Sequence, residues 1–313
     1  MGVEMPPESL NGARAEHIRG RLAAYLLSTK LEERLLPVRE LASQHQTSVG
    51  LISSCLHQLE SDGAVTIARH GRMGSFLTKK SIGKLWYAAE NGPMVIAFTL
   101  PSNRRYEGLA TALKRQLDQI GIEAYFIFIR GSRTRYKALR ENRCHVAVMS
   151  AFAAAGLCTH REAIALELPD MTFVTSHRVF YRDEPGSRVE PLRVAIDPDS
   201  FDQERLTTLE FNGVPTVTTA VNFMQFHRVL EEGLVDFAVW TLDDRETHPA
   251  PSIMDRPLSA RVRQEIGSSD TRAALLIRVE NASLTAVLKE AINTAELLET
   301  QRRVLADELV PEY

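Results

Sequence analysis

Three apolar runs in the middle of the chain end in short clusters of hydroxyls, amides and guanidiniums. Residues 95–100 lead into Ser102, Asn103, Arg104, Arg105 and Tyr106; residues 123–129 lead into Gly131, Ser132 and Arg133; and residues 145–150 finish on Ser150, Ala151 and Phe152. Three later runs repeat the pattern with Asp197, Asp199 and Ser200, with Thr219 and Asn222, and with Trp240 and Thr241. Serines and free backbone N–H groups at helix starts, flanked by arginines, suit a carboxylate or phosphate on a small metabolite. Asp197 and Asp199 either pair with those arginines or receive an ammonium or hydroxyl, which extends the candidates to amino acids and sugar-like compounds. Trp240 offers a stacking surface, or else a core side chain.

This is binding chemistry rather than bond-making chemistry. The chain carries no GxSxG, HExxH or GxGxxG, and its nine histidines are scattered. Gly71-Arg72-Met73-Gly74 has the form of a nucleic-acid GxxG clamp, but it falls in a hairpin rather than between a strand and a helix. Cys144-His145 opens a strand, where both residues are more often packed than reactive. No catalytic residue, metal site or cofactor is expected. An α/β enzyme, or a metabolite-binding protein whose first domain contacts other proteins, is the alternative reading.

A second group of residues could contact nucleic acid. The stretch 66–84 holds Arg69, Arg72, Lys79, Lys80 and Lys84 with no acidic residue, whereas 47–62 holds no lysine or arginine at all. Phosphate attraction therefore comes from the basic segment. Ser48, Gly50, Ser53 and His57 are small or polar enough for close approach to a major groove, and Val49 can touch a thymine methyl. The formal charge of -3 hides this asymmetry. Residues 1–85 carry 11 Lys+Arg against 8 Asp+Glu, and the remainder 26 against 32.

The elements that must position these groups follow from periodicity. Ile18, Leu22 and Leu26 mark a first helix; Leu35, Val38, Leu41 and Ala42 mark a second apolar face after Pro37; Ser48 caps a third helix with Ile52, Cys55, Leu56 and Leu59 on one side and Gly63 as its stop. "AVTI" and "GSFL" around "ARHGRM" form a hairpin wing. Beyond "SIGKLWYAAENGP" the pattern changes to strands alternating with amphipathic helices, in two successive strand-helix-strand-helix-strand units, which implies two parallel-sheet lobes. Ligands bind such sheets beyond the carboxyl ends of the strands. The runs "MTFVTSHRVFYR" and "AALLIRV" are expected to cross between the lobes and pair beside each other, and one long helix, 284–305, closes the chain.

The run 37–42 (PVRELA), Ser48, Leu56, Leu59-Glu60, Gly63 and the run 71–77 (GRMGSFL) resemble the winged helix of GntR-like regulators, with Met73 as one extra residue in the wing. Where that family places an arginine and a threonine after the cap serine, this chain has Val49 and Gly50, and Ser53 stands where a further arginine is common. Arg39 resembles the family's phosphate- or base-contacting arginine, and Arg72 its wing arginine. Together with "LPSNRRYEGLATALK", "VAIDPDSFDQ" and "TQRRVLADELVPEY", the whole chain resembles the YhfZ family of regulators. That resemblance implies an N-terminal winged helix-turn-helix followed by a two-lobed, periplasmic-binding-protein-like (type 2) α/β domain. The expected boundaries are 1–80 for the DNA-binding domain, 81–92 for a linker and 93–313 for the effector-binding domain. The expected partners are a double-stranded DNA operator, a small anionic effector and a second copy of the chain. Three cysteines without a CxxC pair fit a reducing compartment, and the N-terminus lacks a basic segment followed by an apolar core, so a cytoplasmic protein outside the membrane is expected.

Overall fold

The computed structural model describes residues 7–182, 191–243 and 252–313. The chain groups into two compact units, one holding the residues up to Met94 with Gln116–Ala124 and Asn281–Ala291, the other holding Val95–Arg115, Tyr125–Glu280 and Ile292–Tyr313.

In the first unit, α1 (Pro7–Ser28), α2 (Val38–Gln44) and α3 (Val49–Ser61) pack one face each into a common core. Ile18, Leu22 and Leu26 meet Leu41 and the Ile52, Cys55, Leu56, Leu59 stripe, all fully buried or nearly so. Ser48 caps α3 by accepting the Leu51 N–H at 3.2 Å. Gly63, at φ +67°, turns the chain out of α3 into a conformation that costs other residues a steric clash. The wing is β1 (Val65–Arg69) antiparallel to β2 (Ser75–Lys80), joined by a 3-10 turn at Gly71–Met73 that carries the extra Met73 outward, 66% exposed. Arg34 bridges to Phe76, and the Leu35 N–H donates to the Ser75 carbonyl at 2.8 Å, so residues 34–35 run as a short edge beside the wing.

The expected linker contains an ordered helix, α4 (Ile82–Ala88), with Leu85 and Trp86 buried. Gly83 allows it to approach residues 120–121: a Cβ there would stand 2.4 Å from the Ile120 carbonyl oxygen. Composition around Gly92 and Pro93 suggested a connector, but two large apolar side chains one turn from a glycine are enough to dock a short helix.

The second unit contains both lobes. Lobe one is built on β3 (Met94–Phe98), β4 (Ala124–Phe128), β5 (Val146–Ser150) and β6 (Glu162–Glu167), with α5 (Arg104–Gln119), α6 (Ser132–Arg140) and α7 (Ala151–Leu157). Lobe two is built on β7 (His177–Arg182), β8 (Leu192–Ile196), β9 (Thr216–Ala220), β10 (Phe237–Thr241) and β11 (Ile253–Pro257), with α8 (Phe201–Glu210), α9 (Phe226–Glu231) and α10 (Ala260–Ile266). The fifth strand of lobe one, β12 (Ala273–Arg278), comes after lobe two in sequence. The sheet orders are β4-β3-β5-β12-β6 and β11-β7-β10-β8-β9. Each lobe therefore has a parallel half and an antiparallel edge, and the chain crosses between lobes twice.

Those crossings modify one expectation. The two extended runs meet only at the crossing itself, where the Phe173 N–H donates to the Thr271 carbonyl at 2.9 Å and the Ala273 N–H to Thr172 Oγ1 at 2.9 Å. They then separate into different sheets. β7 runs antiparallel to β10, whereas β12 runs antiparallel to β5 and β6. The single closing helix is also corrected. Asn293 accepts the N–H groups of Ala295 and Glu296 and starts a new helix, so the segment divides into α11 (Ala282–Ala291) and α12 (Thr294–Leu305). The apolar positions 288, 292, 295 and 298 of the expected helix divide with it: Leu288 and Ile292 are buried, Ala295 and Leu298 are exposed, and α12 buries Leu297 and Val304 instead.

Candidate effector cleft and nucleic-acid surface

The crossover topology brings the N-terminal ends of α6 and α7 in lobe one against the N-terminal end of α8 in lobe two. Asp202, buried in the first turn of α8, accepts hydroxyl hydrogen bonds from Ser132 at 3.3 Å and from Ser150. Ser132 Oγ accepts the Phe201 N–H at 3.0 Å, and the Arg133 N–H donates to the Asp199 carbonyl at 3.0 Å. A Cβ on Gly131 would fall 2.4 Å from that same carbonyl oxygen. Gly131 also sits at φ +77°, so glycine is required twice over. Arg130 spans the lobes, donating to Asp197 at 2.5 Å and to Asp199.

Behind these contacts lies a cavity enclosing about 40 Å³ of solvent-sized space, lined on one side by Thr99, Ser102, Tyr106, Ser132 and Arg135 and on the other by His177, Ser200, Asp202, Trp240 and Thr241. Arg135 is fully buried and donates Nε to the Val148 carbonyl and Nη1 to the Ile129 carbonyl, each at 2.9 Å. Burial pushes its pKa down to about 10, against the pull of Tyr106 and Asp202, which leaves it charged at neutral pH. His177 pairs with Asp270 at 2.8 Å, both buried. Burial alone would lower the imidazole's pKa; the Asp270 hydrogen bond and the charges of Asp270, Asp202 and Asp243 outweigh it and hold the pKa above its ordinary value. Phe223 stacks on Trp240 with ring centroids 4.6 Å apart, so one face of the indole is already covered.

Six of the thirteen expected ligand residues line this cavity: Ser102, Tyr106, Ser132, Ser200, Trp240 and Thr241. The others have structural partners. Asn103 accepts the Tyr106 N–H at the start of α5; Arg104 pairs with Glu107 and Asp307; Arg105 pairs with Asp243 and donates to the Met171 carbonyl; Arg133 pairs with Glu204 and lies over the Phe201 ring. Ser150 caps α7 as well as bonding Asp202, and Asp197 and Asp199 are taken by Arg130. Phe152 packs on Phe201, and Asn222 caps the turn at Met224. The charged groups that do face the cavity, Arg135, His177 and Asp202, were missed because Arg135 and Asp202 lie inside helices past the strand ends, and His177 opens β7, an antiparallel strand whose start lies beside the carboxyl end of β10. Helical spacing from Ser132 would have suggested Arg135, one turn on.

In the first unit, Arg39, Ser48, Val49, Gly50, Ser53, His57, Arg69, Arg72 and Lys79 are all exposed. Val49, Gly50, Ser53 and His57 share the outer face of α3, opposite the buried stripe. Arg69 is already engaged, donating Nη2 to Glu60 Oε2 at 2.5 Å and Nη1 to Oε1 at 3.1 Å. Arg39, Arg72 and Lys79 have no carboxylate partner among the described residues.

A family model described as the YhfZ C-terminal domain matches residues 82–313, and one described as a helix-turn-helix domain matches 30–77. The chain belongs to the YhfZ family. It is 32% identical over 293 residues to the YhfZ protein of Escherichia coli strain K12, covering 93% of this chain and 95% of that one. The crystal structure of YhfZ from Shigella flexneri is similar with a TM-score of 0.59 and 29% identity, over 71% of this chain and 94% of that chain. The periplasmic VFT2 domain of Bordetella pertussis BvgS has the same fold with a TM-score of 0.50 and 16% identity, over 71% of this chain and 96% of that one. The fold is thus an N-terminal helix-turn-helix followed by a periplasmic-binding-protein-like α/β domain. Among the described residues no helix is long and apolar enough to cross a membrane, and no three His, Cys, Asp or Glu side chains gather as a metal site.

Proposed function

We propose that this YhfZ-family protein is a ligand-responsive transcriptional regulator, with residues 1–80 contacting operator DNA and residues 93–313 binding a small anionic metabolite. The observation that carries the DNA reading is the uncommitted, exposed face of α3 beside Arg39, Arg72 and Lys79. A helix without its own cations enters a groove through small side chains while neighbouring cations hold the phosphates. A second copy of the chain supplies the other half-site, because one small winged helix offers limited contact.

The effector reading rests on Arg135. A buried guanidinium with only two of its five N–H donors given to carbonyls has donors left for an anionic group. Asp202 lines the same cavity and its carboxylate accepts from Ser132 and Ser150, so an anion must engage the remaining Arg135 donors against that charge. The cavity is well below the ~300–1,000 Å³ usual for small-molecule sites. A metabolite must therefore part the contacts between α6, α7 and α8, and the work of parting them links occupancy to lobe angle. Its effect on DNA affinity is limited to the difference in its own affinity for the two arrangements.

A thermal-shift screen of small carboxylates and phosphates on the full chain tests the effector reading. A ligand at a hundredfold excess over its Kd stabilises by about 2.7 kcal/mol. The hit should disappear in Arg135→Gln. A hit retained in that variant would place the anion elsewhere.

A further inference from the structure

The first unit contains a second cavity that the effector reading does not use and whose apolar interior the DNA reading leaves unassigned. It encloses about 340 Å³ between the segment entering α2, the inner face of α3 and the wing. Its floor is apolar: Leu35, Leu41, Leu56 and Ile67 are all buried. Its rim is cationic, with Arg34, Arg69 and Arg72. Arg69 is neutralised by Glu60, whereas Arg34 and Arg72 have no carboxylate partner among the described residues. The wing glycine Gly74 lets the Arg34 side chain pass close beneath the turn, since a Cβ there would be 2.6 Å from Arg34 Nε. An apolar floor of this size under two uncompensated cations is complementary to a compact organic anion with a hydrocarbon body.

We propose that this cavity is a binding site for a small amphipathic carboxylate, its hydrocarbon part against Leu35, Leu41, Leu56 and Ile67 and its carboxylate held by Arg34 and Arg72. Ser53 and Arg72 line the cavity and also belong to the surface assigned to DNA. Occupancy therefore lowers affinity for DNA, a consequence that rests on the DNA reading; binding of the carboxylate does not.

Calorimetric titration of the full chain with octanoate and with octanol separates the possibilities. Octanoate should bind and octanol should bind about tenfold or more weakly, the loss expected when charge-assisted hydrogen bonds are removed. Arg34→Gln/Arg72→Gln, a surface change that leaves the floor intact, should weaken octanoate by a similar factor, while Arg135→Gln leaves it unchanged. Equal binding of the acid and the alcohol, or octanoate binding indifferent to the two arginines, overturns the proposal. So does an absence of octanoate binding in a protein whose DNA affinity still falls in the double variant, because the arginines would then serve phosphates alone. If octanoate binds as expected but leaves DNA affinity unchanged, the site stands and its link to DNA fails.

Discussion

Arg69 and Glu60 hold each other in a two-point clamp, with Nη2–Oε2 at 2.5 Å and Nη1–Oε1 at 3.1 Å, while Glu60 also accepts the Ile67 N–H at 3.2 Å. The clamp ties the wing to α3 and removes Arg69 from the cations available to phosphate. Arg69→Ala should leave the slope of log K against log salt for double-stranded DNA unchanged. Arg72→Ala should reduce its magnitude by about 0.9, the value for one lost phosphate contact. Equal effects of the two substitutions would show that the clamp opens on DNA.

The same clamp has a pH dependence. The hydrogen bond from Arg69, opposed by partial burial and helped by charge, holds the Glu60 pKa below its usual value. A depressed acid stabilises the folded state above its unfolded pKa, about 4.3, and loses that contribution as pH falls through the folded value. Because the Arg69 side chain is 57% exposed, the amount is less than about 1 kcal/mol. Urea denaturation across a descending pH series from pH 7 should show the destabilisation by Glu60→Gln shrinking as the pH falls.

His177 behaves in the opposite sense. Its raised folded pKa gives stability that is complete below about 6.5 and is lost as pH rises through the folded value. Histidine ring NMR should find this imidazole titrating above 6.5 in the native protein. In Asp270→Asn the titration should fall below its value in the native protein; an unchanged value would remove Asp270 as the cause.

Gly131→Ala tests the contact between the lobes. The added methyl meets the Asp199 carbonyl and the residue must keep a positive φ. Strain and overpacking of this kind cost about 1–3 kcal/mol, unless the lobes part to relieve it. Small-angle scattering should therefore show a larger radius, a loss of stability, or both. Neither change would contradict the close apposition of α6 and α8.

Burial pushes the Cys144 thiol up to about 11, which leaves almost no thiolate at pH 8. An aromatic disulfide reagent should modify the half-buried Cys158 first and Cys144 only on unfolding. Simultaneous modification of both in the native state would show that β5 opens locally.

Periodicity and capping residues carried most of the fold. The α3 stripe and its Ser48 cap, the wing, and the alternation in each lobe were legible because each rests on local spacing. β6, β11 and α10 were not anticipated, since residues 162–167, 253–257 and 260–266 mix charged residues with short apolar runs. The division at Asn293 was missed because one side-chain cap outweighs a continuous stripe. For the cleft, strand-end positions located half of the lining residues but misjudged the arginines. Arg105 and Arg133 found carboxylates on other elements, a tertiary pairing that spacing does not encode, and Arg104 pairs with Glu107 one turn along α5 as well as with Asp307. The cation that does face the cavity, Arg135, sits one helical turn farther on.

The account depends most on the first unit gripping nucleic acid through groups outside α3. The direct measurement is the affinity of the full chain for double-stranded DNA across a salt series, in the native protein and in Arg39→Ala/Arg72→Ala/Lys79→Ala. The expected result is salt-dependent binding whose slope shrinks by about 2.7 in the triple variant, three contacts at ~0.9 each. Binding with an unaltered slope, or none at low salt in the native protein, would contradict it.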